Sequence, residues 1–228
     1  FTSSGTFVNG GSTTTFGQTG NSTIWTVQNS TFNNVLINKS ALTDMVSVSK
    51  GISVGGWLKV NSGTLNMASS TNTVVQGATT INGSGAKLDI GSSTTTLQGL
   101  VAVENGATLL LPNATPSPVM RLGPNTHTVN TGWFFVSQSS NNLITSQNPG
   151  TQFYGFNIYT GTVNITGLTF ESADNKGMDL SASAVIPALN NINFKSLQAG
   201  ATALNILYTA TVGTYTFTGH NFDSSVSS

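Results

Sequence analysis

Between Val54 and Leu111, apolar and polar residues alternate, and the alternation recurs. Three segments, Val54–Met67, Val75–Ile90 and Leu97–Leu111, superpose on Gly56, Gly77 and Gly99, at nearly equal steps. Two positions before each glycine stand Val54, Val75 and Leu97; two after stand Leu58, Thr79 and Val101; four after stand Val60, Ile81 and Val103. A spacing of two puts these residues on one face of an extended strand. A glycine turn follows at Gly63, Gly85 and Gly106. A second strand then supplies Leu65, Leu88 and Leu109, and after them Met67, Ile90 and Leu111.

The pattern returns downstream in a different register. The segments "ITGLTF", "LNNINF" and "FTGHNF" end at Phe170, Phe194 and Phe222, at longer and less equal steps. Ile165, Leu189 and Phe217 form one column, and Leu168, Ile192 and His220 another. Leu180 and Leu204 are separated by the same interval as Phe170 and Phe194. The residue after each phenylalanine is charged: Glu171, Lys195 and Asp223. If the phenylalanines point inward, these three form an outward column of alternating sign.

A long period carried by short strands is the signature of a solenoid, in which each repeat is one coil and equivalent residues stack. A β-sandwich has strands at regular spacing too, but no reason to keep residue identity at a fixed long period. No helical periodicity competes. The expectation is therefore an all-β chain forming one domain over residues 1–228: a single-stranded, right-handed parallel β-helix with about 21–28 residues per coil. Roughly ten coils would make a rod about 50 Å long. Regular coils are expected near 52–111 and 152–223.

Residues 112–150 break the visible period. Five of the six prolines fall between Pro112 and Pro149, and proline cannot donate to a strand ladder. The stretch is read as an irregular excursion joining two sub-solenoids, with Trp133 or Phe134 plugging the core. It also carries the chain's one arginine, Arg121, and His127. Loops on a rigid scaffold commonly carry binding surfaces, so Arg121, His127 and Trp133, with Trp57 at an outward position by parity, are the candidate ligand surface.

Composition narrows the classes. Charged residues make up only 6% of the chain, and seven basic residues cancel seven acidic ones. No field of one sign exists to gather nucleic acid or an anionic membrane. Cysteine is absent, which excludes a disulfide scaffold and thiolate metal sites. No apolar run reaches the length of a membrane-spanning helix. The start at Phe1, without Met or a leader pattern, reads as the processed part of a longer chain.

The segments "GATTINGSGAKLDI" and "GLVAVENGATLLL" resemble the coils of autotransporter passengers and related bacterial surface proteins. "ITGLTF" and "LNNINF" resemble coils of the pectin-lyase-like group. The resemblance covers Val54–Leu111 and Ile165–Phe222. It implies the right-handed parallel β-helix and says little of activity, because adhesins, lyases and phage tailspikes share that fold. Polygalacturonase-like members would imply an Asn-Thr-Asp, an Asp-Asp pair and a Gly-His-Gly; here only "GHN" at Gly219–Asn221 matches in part. His220 also stands in the column of Leu168 and Ile192, which makes it a core or end-coil residue. Pectate lyases would imply an acidic calcium cluster and an arginine base, and Arg121 has no acidic neighbour in sequence. "ESADNKGMD" offers Glu171, Asp174 and Asp179 as calcium ligands, although a solvated turn explains it as well.

The expected function is a non-catalytic structural or adhesive extracellular β-solenoid: a rigid stalk or fibre subunit of a bacterial surface protein, with no cofactor. Expected partners are further copies joined end to end, or continuation into a larger chain, and a glycan or cell-surface partner. The alternative is a carbohydrate-binding or polysaccharide-degrading β-helix protein.

Overall fold

In a computed structural model the alternating segments become 27 strands, with no helix among the described residues, which are 2–3, 10–26, 30–67, 72–136, 141–207 and 218–223. The strands form three nine-stranded sheets. Sheet 1 runs from Thr13–Phe16 to Leu204–Ile206, sheet 2 from Thr2–Ser3 to Val185–Leu189, and sheet 3 from Ser30–Phe32 to Asn221–Phe222. From Thr13 onward the chain visits sheets 1, 2 and 3 in turn, then returns to sheet 1 one step further along. Every pairing between strands is parallel. The protein is a parallel β-solenoid. Nine strands per sheet give eight steps rather than ten coils, a stack of about 38 Å at the usual strand spacing.

The register is the one the repeat dictates. Ile81 pairs with Val60 on one side and Val103 on the other, and all three are fully buried. Leu65, Leu88 and Leu109 stack likewise. Val54, Val75 and Leu97 form the matching column in sheet 3. Gly63, Gly85 and Gly106 make the turns from sheet 1 to sheet 2, with φ of 78°, 85° and 77°, a region that L side chains avoid.

The corner from sheet 3 to sheet 1 needs glycine for a different reason. Gly56, Gly77 and Gly99 stack there, and a Cβ on Gly77 or Gly99 would overlap the carbonyl oxygen of the glycine one coil earlier. Those oxygens are backbone and cannot move without disturbing the ladder. Gly99→Ala is therefore expected to cost about 2 kcal/mol, within the usual range for overpacking. Chemical denaturation checks this, with Gly10→Ala, where a Cβ meets open space, as the neutral control.

The core changes character along the stack. Its first half is mainly aliphatic, with Phe32 as its one fully buried ring among the described residues. From Phe134 onward it holds Tyr154, Phe156, Phe170 and Phe194, all buried, with ring centroids 5.0 Å apart for Phe134–Phe156 and 5.9 Å for Phe170–Phe194. Coils lengthen over the same region: the register step from Trp133 to Thr162 is longer than the step from Val75 to Leu97.

Residues 112–150 are not an excursion. They contain the strands Val119–Leu122, Thr126–Asn130, Trp133–Val136 and Leu143–Ser146, each paired in parallel with the coil before it. Pro112, Pro116, Pro118, Pro124 and Pro149 all fall in connections, where no ladder N–H is required. Met120, Leu122, Val129, Phe134, Val136 and Ile144 carry the buried columns through. Asn142 donates from Nδ2 to the carbonyls of Leu111 and Pro112, both at 3.3 Å, and so ties the connection down. Pro187 does stand in a strand, but in the last described strand of sheet 2 and beside a shift of register.

Two smaller expectations need correction, and a third falls outside the described residues. Leu180 pairs with Ile206 and Leu204 with Met178, so the two leucines are not stacked; the coil there is slightly longer than the interval between them. Phe222 stacks on Phe194 at 5.3 Å but remains 54% exposed; its strand stands at the end of sheet 3 among the described residues. Phe217 lies outside the described residues.

Candidate functional site

The three sheets leave three outer faces, and the four residues of the expected ligand surface do not share one. Trp57 precedes the sheet 1 strand Leu58–Ser62; it is partly buried, with Lys59 Nζ 4.8 Å from its ring centroid. Arg121 is exposed on sheet 3 and Trp133 on sheet 2.

His127 belongs to none of them. It is fully buried, inward on sheet 1 in the column of Leu58, Thr79 and Val101, and paired with Phe156 in the next coil. The Val101 N–H donates to Nδ1 at 3.1 Å, so Nε2 carries the ring proton and donates to the Gly123 carbonyl at 3.1 Å. Burial lowers its pKa to about 4, against a smaller upward push from the Gly123 carbonyl. The residue is a neutral core histidine, and its place as a ligand-surface residue is withdrawn. Parity is the available signal, since Val129, two positions on, is a core residue.

The three acidic candidates divide between two sheets. Glu171 ends the sheet 3 strand Leu168–Glu171, while Asp174 and Asp179 lie in the sheet 1 strand Ala173–Leu180. Each carboxylate accepts a bond from the protein. Thr145 Oγ1 donates to Glu171 at 2.8 Å, the Lys176 N–H to Asp174 at 3.0 Å, and Asn205 Nδ2 to Asp179 at 2.8 Å. Among the described residues no group of three His, Asp or Glu is arranged to hold a metal ion, so the suggested calcium ligands are not brought together. Below them Tyr154 is buried. Its hydroxyl pKa is pushed well above the ordinary value, first by burial and then by the charges of Glu171 and Asp174.

On sheet 3, Arg121, Thr145, Glu171 and Lys195 follow one register line over four coils. Glu171 and Lys195 are direct partners, as the alternating column requires. With Asn141, Leu143 and Thr169 they line an open groove of about 300 Å³.

The outer face of sheet 2 is different in kind. Trp133 is 43% exposed. Phe135, two residues on and partly exposed, tilts against it with ring centroids 5.5 Å apart. Because Phe134 and Val136 point inward, their neighbours must point out. Thr108 precedes Trp133 in the ladder and Thr162 follows it; Leu110 precedes Phe135 and Asn164 follows it. Val185, 54% exposed, continues the Trp133 line one coil further. Parity from Phe134 is enough to find Phe135, but its hydroxyl and amide neighbours become visible only with the register.

Comparison with family models, with curated proteins and with solved structures finds no match to this chain.

Proposed function

We propose that this protein is a non-catalytic structural or adhesive scaffold: a rigid stalk or fibre subunit outside a bacterial cell, similar in kind to the β-helical passengers its coils resemble. One observation carries the reading. Its outward polar groups bond to the same face of the next coil. Asn82 donates to Glu104 at 3.1 Å, Thr145 to Glu171 at 2.8 Å, Asn205 to Asp179 at 2.8 Å and Asn221 to Asn193 at 3.2 Å. Carboxylates used in this way fix register and stiffen the rod. General acid–base cleavage of a polysaccharide needs two carboxyl groups flanking the scissile bond. Association end to end, or further coils in a longer chain, would extend the same stack.

Incubation with polygalacturonate and calcium is expected to release neither unsaturated nor reducing ends. Turnover that disappears in Asp174→Asn, Asp179→Asn or His220→Ala would overturn the reading.

A further inference from the structure

Adhesion requires a surface that recognises something, and among the described residues the outer face of sheet 2 carries two outward aromatics in contact. We infer that the Trp133–Phe135 face binds an uncharged polysaccharide chain, with the indole stacking on a sugar ring. This deepens the adhesive half of the function proposed above and rests on it.

The chemistry comes from the ladder. Trp133 and Phe135 project from one strand and touch, 5.5 Å between centroids. The Trp133 indole has Thr108 on one side and Thr162 on the other, while Asn164 stands beside Phe135. A sugar ring presents axial C–H groups to an aromatic face and hydroxyls around its edge. Aromatic side chains with an apolar body and a few well-placed polar neighbours are the usual means of holding such a ligand. The nearest charged groups on this face, Lys87 and Asp89, are paired with one another at 3.6 Å. Both lie two coils from the Trp133 strand. An acidic glycan therefore gains nothing at the platform, and an uncharged one loses nothing.

Size argues against a protein partner. With 43% of its surface open, Trp133 offers roughly 100 Å². Phe135 and Val185 enlarge the patch, yet a stable protein interface needs about 800 Å² from each side. A narrow strip that carries two adjacent aromatic rings matches one sugar chain instead. The charged groove of sheet 3 has no exposed aromatic among its lining residues and is the weaker candidate for this ligand.

The test is titration calorimetry with cellohexaose, xylohexaose and mannohexaose, with polygalacturonate as the acidic comparison. Binding to at least one uncharged oligosaccharide is expected, weakened about tenfold or more in Trp133→Ala and unchanged in Trp57→Ala. Melting of Trp133→Ala should match the wild type, because the side chain lies outside the core. No binding to any of the three, or equal binding by Trp133→Ala, overturns the inference. So does preference for polygalacturonate. Sedimentation that shows a wild-type dimer and a monomeric Trp133→Ala would give the face to a second copy of the chain and overturn it too. None of these failures touches the scaffold reading, which stands or falls on turnover.

Discussion

Ile81→Asp is expected to unfold the coils around it. The side chain is fully buried between Val60 and Val103, in a column that is apolar on both sides. A carboxylate there meets neither cation nor donor, and an uncompensated buried charge costs about 3–5 kcal/mol. Whole domains are stable by only about 5–15 kcal/mol. In a stack, the loss falls first on the coils in contact, since each coil is supported only by its neighbours. Urea denaturation followed by circular dichroism should show a lower midpoint or an early partial transition. Thr80→Asp, one residue away but outward and beside Lys59, should stay within about 0.5 kcal/mol of the wild type. If both variants behave alike, the assignment of inner and outer faces is wrong.

The second large effect is a loss of stability in mild acid through His127. Its folded pKa of about 4 lies below the ordinary 6.5. The unfolded chain therefore takes up the proton first, so the contribution is complete above pH 6.5 and drains away as pH falls toward 4. From pH 7.5 to 4.5 this amounts to about 2.5 kcal/mol. His127→Asn should lose that much less than the wild type over the same interval. Nuclear magnetic resonance offers a check on the wild type alone: the His127 ring should titrate near pH 4, with Nε2 protonated above it. A ring that titrates near 6.5 would mean that His127 faces solvent.

The fold is legible in the sequence because stacking is repetitive. Wherever one coil resembles the next, as at Ile81 and Val103, a column can be seen before any coordinate. Legibility fails between 112 and 150, where prolines in the connections mask strands that keep their inward residues, from Met120 to Ile144. The prolines belong to the corners and say nothing against the coil. The functional surface is harder to read, because faces are assembled from residues one coil apart. Trp133 stands in the sequence beside Phe134 and Phe135, but Thr108 and Thr162 become its neighbours only through register steps of a full coil on either side. His127 shows the opposite error. A histidine in a polar, proline-containing stretch suggests a surface site, whereas the period of two places it inside.

The central claim is a single uninterrupted stack that passes through the proline-containing stretch. The absence of cysteine allows a direct test by disulfide mapping. Thr96 and Arg121 are register partners in neighbouring coils of sheet 3, both facing outward. Their Cα atoms should lie at the strand spacing of about 4.8 Å, inside the range a disulfide spans. The double variant Thr96→Cys/Arg121→Cys should oxidise to an intramolecular bridge without losing its strand signal. Thr96→Cys/Lys195→Cys, which separates the thiols by four coils, should not. A bridge in the first variant and none in the second is the predicted result; no bridge in the first, or a bridge in the second, would contradict the stack.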